Sequence, residues 1–325
     1  MILAYPHDYP SFACIADRCR HNCCIGWEID IDDCTLADYE SLEGPFGERL
    51  RASIAHTDGG TCFALDERER CPFLREDNLC EIILRLGEEA LCDICQSHPR
   101  FYNAYTNRTE IGVGLSCESA ARLILGRREP FRLVEEDEGE EGLLPSYPER
   151  LFLAERDRAL ETATKRACSL DERMQGLLAA AEARVPFQSG AEWAAFYRAL
   201  ERMDKSFERV IEKIALLSAE ATEKSRLGTD EILFEQLLTY FLYRHYTPEN
   251  GARASVAFAV HATRLLRAVA QRDGLSFEET VELCRLYSAE IEYSEENTLA
   301  LMLLFDPNVK QRRDSGGCQI KSRNR

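Results

Sequence analysis

From Ser146 onward apolar residues return at helical spacing. Ile232, Leu233, Leu237, Leu238, Phe241 and Leu242, then Val256, Phe258, Val260, Leu265, Leu266 and Val269, recur at intervals that line the buried faces of helices. Ser-x-x-Glu start signals stand at Ser169/Glu172, Ser189/Glu192 and Ser276/Glu279, where serine and glutamate can cap each other's amides. This half predicts an α-helical bundle, with Phe234, Tyr240, Tyr243 and Tyr246 as core filling rather than a cofactor box.

The first third follows another rhythm. Trp27 to Asp32 alternates apolar and acidic residues, the pattern of a half-buried strand, and Thr35 to Ile54 reads as helix interrupted at Gly44-Pro45. Cys71 to Leu74 and Leu79 to Ile82 flank the polar turn Arg75 to Asn78 and predict a short hairpin. Leu84 to Ile94 suits a helix, and Thr109 to Leu115 a strand leading to Cys117. Between Val134 and Pro145 the run EEDEGEEG has six acids, two glycines and no apolar face, which predicts a linker. The expected organisation is mainly α: a small cysteine-rich α+β metal-cluster domain (1–133), an acidic linker (134–145), an α-helical bundle domain (146–309) and a basic disordered tail (310–325).

Composition narrows the function classes. At 325 residues and 45% hydrophobic content the chain builds a sizeable core, which excludes a disulfide-stapled miniprotein. A formal charge of −17 repels phosphate, so nucleic acid and anionic membranes are not expected partners, whereas a lysine-bearing protein is compatible. Charged residues interrupt every long apolar run, and the N-terminus has no signal-peptide pattern, so a cytoplasmic protein is expected.

Eleven of the 14 cysteines fall at or before Cys117. Cys14, Cys19, Cys23 and Cys24 crowd into one stretch, and in a reducing compartment such a cluster is a metal or Fe–S site more often than a disulfide knot. Cys19 and Cys23, four apart, would share a face if helical, while the adjacent Cys24 would serve a second centre or simply pack. The spacing matches neither a ferredoxin run nor a paired C-x2-C ribbon, since Cys92–Cys95 is the only C-x2-C pair. An Fe–S centre is the first expectation, zinc the second, free thiols or disulfides the third. His21 and His98 read as ordinary polar residues, and Trp27 as a lid over the cluster rather than a cation–π platform.

Four segments, CIADRCRHNCCIGWEID (14–30), CPFLREDNLC (71–80), LGEEALCDICQSHPRF (86–101) and GLSCESA (114–120), together resemble the flagellin lysine-N-methylases and the related zinc- or iron-chelating cysteine-cluster proteins. The resemblance implies metal ligands at Cys14, Cys19, Cys23, Cys24, Cys71, Cys80, Cys95 and Cys117, leaving Cys34, Cys62 and Cys92 as extras. His98 departs from the aromatic residue usual in the family. The resemblance also implies methyl transfer from S-adenosylmethionine to lysines of flagellin, with a cysteine-bound Fe–S cluster (4Fe–4S) or zinc. No Gly-rich strand-to-helix loop marks a nucleotide site, so the methyl-donor site and the catalytic residues stay unassigned. Tyr102, Tyr105, Asp30 and Asp32 stand near the cysteines in sequence without an assigned role. The alternative is a non-enzymatic metal-binding or electron-transfer protein.

Overall fold

The computed structural model describes residues 1–57, 60–139, 143–186, 189–218 and 231–316. It is mainly helical with a small sheet region, and no described helix is long and apolar enough to cross a membrane. The chain forms two compact units: Ala13–Arg100 with Cys117–Ser119, and the remainder, made of Met1–Phe12, Phe101–Ser116 and the chain from Ala120 on.

The larger unit begins with β1 (Ile2–Pro6) and is then interrupted. The excursion, Ala13 to Arg100, contains α1 (Asp33–Ser41), α2 (Gly44–Ala52), the β2–β3 ribbon (Ile54–Thr57 and Gly60–Phe63), α3 (Glu81–Leu86) and α4 (Asp93–Ser97). β4 (Arg100–Ala104) and β5 (Arg108–Val113) follow, then α5 (Glu118–Gly126) and β6 (Leu133–Asp137). The sheet order is β4-β5-β1-β6, with β1 parallel to β5 and antiparallel to β6. A parallel pair needs a long crossover, and the cysteine-rich excursion is that connection. The acidic run expected as linker thus starts as a strand, because β1 has a second edge for Leu133 to Asp137 to pair with; residues 140–142 lie outside the described residues.

The helices then run as α6 (Tyr147–Ala163), α7 (Leu170–Ala180), α8 (Gly190–Arg198), α9 (Glu208–Ala215), α10 (Glu231–His245), α11 (Gly251–Asp273), α12 (Phe277–Glu292), α13 (Glu295–Phe305) and α14 (Val309–Gly316). The three serine start signals form capping boxes on α7, α8 and α12. α11 stops at Gly274, whose φ of +62° suits a residue without Cβ. The apolar positions of α10 and α11 named above are buried except for the half-buried Ile232, and Phe241 meets Phe258 edge-on at 5.2 Å. The basic tail begins as α14; residues 317–325, including Cys318, lie outside the described residues.

In the smaller unit, Pro45 in the first turn of α2 explains the break after α1. Trp27 to Asp32 is not assigned as a strand, yet its alternation is visible in burial: Ile29 and Ile31 are buried while Glu28 and Asp30 face out. Its backbone bonds to the β3 segment through Ile31 N–H to Thr61 O (2.8 Å) and Phe63 N–H to Ile29 O (3.0 Å). The expected hairpin is a tight turn with one bridge, Leu74 to Cys80. The helix expected from Leu84 to Ile94 is broken at Gly87, whose φ is +98°. Phe63, Phe73, Leu50 and Ile82 form this unit's core, together with Cys71 and Cys92.

Candidate metal centre

Each predicted cysteine sits at a turn or helix start. Cys14 is exposed, and its sulfur accepts the Ala16 N–H (3.4 Å) ahead of the 3-10 turn Ala16–Arg18. That turn ends at Cys19, and the chain to Cys24 is irregular, so the shared helical face expected for Cys19 and Cys23 does not exist. Instead, Asn22 Oδ1 accepts the Cys24 N–H (2.9 Å), a side-chain bond that competes with helix. The Cys24 carbonyl accepts the Cys71 N–H (2.8 Å), which sets these two segments side by side. Cys80 precedes the first turn of α3, and Cys92 that of α4, with Cys95 one turn on.

The sulfurs fall into two neighbourhoods. Cys14, Cys19 and Cys23 share one with the Glu118 carboxylate. Arg20 holds Glu118 by its backbone N–H (3.0 Å) and its Nε (3.1 Å), next to Cys117 at the start of α5. Cys24, Cys71, Cys80, Cys92 and Cys95 form the other, with Cys23 close to Cys24, Cys80 and Cys95. Cys23 therefore adjoins both.

Within the second group, the thiols of Cys23 and Cys24 influence each other's titration, as do those of Cys92 and Cys95. In each pair that proximity favours the thiolate on one sulfur, Cys23 or Cys92, and the thiol on its partner. Burial pushes Cys71 up to about 11 and raises Cys80 and Cys19. Backbone N–H groups oppose it: Phe73 donates to Cys71, Ile82 and Ile83 to Cys80, and His21 to Cys19. Amide donors aimed at sulfur stabilise thiolate, the form in which cysteine binds metal. The donor set thus fits a thiophilic metal or Fe–S centre in type and neighbourhood. As the side chains stand, however, no group of three or more His, Cys, Asp or Glu among the described residues is arranged to hold a metal ion.

Cys92, an extra by the resemblance, lies in the second group beside Cys71, Cys80 and Cys95, and its C-x2-C spacing with Cys95 is the sequence signal for that place. Cys62 is raised by burial and by Glu28 and Asp30, away from this group, and Cys34 is exposed on α1. Trp27 donates its indole N–H to the Cys23 carbonyl and packs against His98 at 5.7 Å. Burial, with Arg100 nearby, pushes His98 down to about 4. Asp32 is the N-cap of α1, bonded to Thr35 and the Asp93 N–H, so it is committed to structure. In the larger unit, Tyr105 is bonded to Arg156 and Tyr102 is exposed.

No family model matches the chain, and no solved structure matches it. Among curated proteins, the lysine-N-methylases of Salmonella typhimurium and Salmonella choleraesuis are each 29% identical over 132 residues, 38% of this chain and 32% of the relative. The flagellar biosynthetic protein FliU of Salmonella muenchen is 28% identical over 130 residues, 38% of this chain and 77% of the relative. The match thus spans about a third of the length of the two methylases. Over that stretch, the chain is similar to proteins named for lysine N-methylation and for flagellar biosynthesis.

Proposed function

We propose that this protein is an S-adenosylmethionine-dependent protein-lysine N-methyltransferase acting on flagellin in the cytoplasm, its smaller unit a cysteine-rich domain carrying an Fe–S or zinc centre. The observation that carries this reading is the similarity to proteins named for lysine N-methylation and flagellar biosynthesis. The gathering of cysteines in one unit supports the metal part, with Cys23, Cys24, Cys71, Cys80, Cys92 and Cys95 as one set of thiolate donors and Cys14, Cys19 and Cys117 near Glu118 as another.

When bound, S-adenosylmethionine supplies an electrophilic methyl group, and a cysteine-held metal supplies a structural clasp or electron transfer. The chain itself must present the lysine amine neutral, because an ammonium has no lone pair to attack with; a desolvating pocket or a base achieves that. Anaerobically prepared, metal-replete protein incubated with flagellin and methyl-labelled S-adenosylmethionine is expected to place label on lysine. Absence of label overturns the reading. The gathering of Cys23, Cys24, Cys71, Cys80, Cys92 and Cys95, with no Gly-rich nucleotide loop in the sequence, favours a second reading, a non-enzymatic metal-binding or electron-transfer protein, which reversible redox spectra without methyl transfer would select.

A further inference from the structure

β6 lies at one end of the four-stranded sheet, paired with β1 along one edge and with no strand of the described residues along the other. The ladder bonds that flank it, His7 N–H to Arg132 O (3.1 Å) and Glu138 N–H to Met1 O (2.9 Å), fix its phase. In an antiparallel ladder, hydrogen-bonded pairs alternate with non-bonded ones. Val134 and Glu136 therefore turn their amides and carbonyls to β1, whereas Leu133, Glu135 and Asp137 turn theirs to the open edge. Such a row of donors and acceptors is a template for another strand.

The side chains along this edge are acidic: Glu135, Glu136, Asp137 and Glu138 are consecutive and exposed. Glu135 meets Arg108 at 2.5 Å, but that guanidinium is shared with the buried Glu110 (2.6 Å). Tyr5 donates to Glu136 without neutralising it, and the ammonium of Met1 stands 3.9 Å from Asp137. The edge thus keeps a net negative charge, on a chain whose formal charge is −17. A second copy pairing through the same strand would set acids against acids, and like charges directly opposite destabilise a ladder. The edge is closed to its own kind and open to a strand of opposite charge.

We propose that the free edge of β6 receives an extended, lysine-bearing segment of a protein partner, which adds as a fifth strand. The partner's backbone bonds Leu133, Glu135 and Asp137, and its lysines stand beside the acids at cross-strand distance, about 5 Å between Cβ atoms. Backbone bonding supplies affinity whatever the sequence, and the acids select for lysine. That the segment belongs to the methylated protein rests on the lysine-methylation reading; the open edge and its charge do not.

The test is fluorescence anisotropy of a labelled, end-blocked hexapeptide alternating lysine and threonine, titrated with the full chain. This peptide is expected to bind. The same peptide methylated at every backbone nitrogen, which keeps the charge and loses the strand-pairing donors, should bind at least about tenfold more weakly. Glutamate in place of lysine should abolish binding. Glu136→Lys combined with Asp137→Lys, which leaves the Glu135–Arg108 pair in place, should weaken the lysine peptide at least about tenfold. No binding, equal binding of the N-methylated peptide, or binding unchanged in the double variant overturns the site. If the double variant does not fold, the two lysine peptides on the unaltered chain decide alone. In methylation assays the double variant should raise KM for flagellin at least about tenfold with kcat kept. An unchanged KM overturns docking at this edge and leaves the function reading standing; peptide binding at the edge without methylation of flagellin does the reverse.

Discussion

Glu110→Gln tests how the larger unit is held together. The Glu110 and Arg156 side chains are both fully buried, joined by Nη1 to Oε2 (2.5 Å) and Nη2 to Oε1 (2.8 Å), and Arg108 Nε reaches the same carboxylate at 2.6 Å. Burial alone would push the Arg156 guanidinium down, but Glu110 outweighs it and holds it above its usual range. The substitution keeps the shape and removes the charge, leaving Arg156 in the interior with Tyr105 (3.2 Å) and the half-exposed Asp157 (3.0 Å). Arg108 keeps Glu135. An orphaned buried charge costs about 3–5 kcal/mol, far above the ~1 kcal/mol of an exposed pair. Arg156→Met should cost less, because Arg108 still serves Glu110. The double variant should fall short of the sum by about 1–3 kcal/mol. Urea denaturation followed by circular dichroism reads all three as midpoint shifts at constant slope. A loss below about 1 kcal/mol for Glu110→Gln, or strict additivity, would refute the reasoning.

Metal analysis should separate the cysteines: Cys24→Ala, Cys71→Ala and Cys92→Ala lose metal, while Cys62→Ala and Cys284→Ala keep it, and equal content across the set refutes the grouping. His261, buried near Arg264 and bonded to Tyr197 at 3.0 Å, is pushed down to about 3. The unfolded imidazole takes a proton below about 6.5 and the native one does not, so stability falls as pH drops from about 6.5 to about 3, by up to about 1.4 kcal/mol per unit. His261→Phe should remove that part of the slope, read through the fluorescence of Trp193, stacked 3.8 Å from the ring; equal slopes count against it. Ser276→Ala breaks the capping box of α12 and should cost about 1 kcal/mol by thermal or urea unfolding, where no change would contradict the cap.

Periodicity alone made the helical half readable. The apolar stripes of α10 and α11 and the serine–glutamate boxes depend on neighbours three to four residues apart, so they are written locally. The alternation in Trp27 to Asp32 likewise foretold which side chains face inward, although the segment is bound only at isolated bonds. The cysteine-rich stretch was legible as chemistry because thiol count and spacing are sequence properties. What the sequence did not convey was partnership. β1, the parallel β1–β5 pair and the capture of the acidic run by β1 all join residues about a hundred or more positions apart. The neighbourhood of Cys24 with Cys71 and Cys95 and the place of Cys92 beside them arise in the same way. Local patterns follow from covalent geometry and side-chain type over one turn or one pleat. Which distant edge, sulfur or carboxylate meets which is settled only when burial and hydrogen bonding are satisfied across the whole unit.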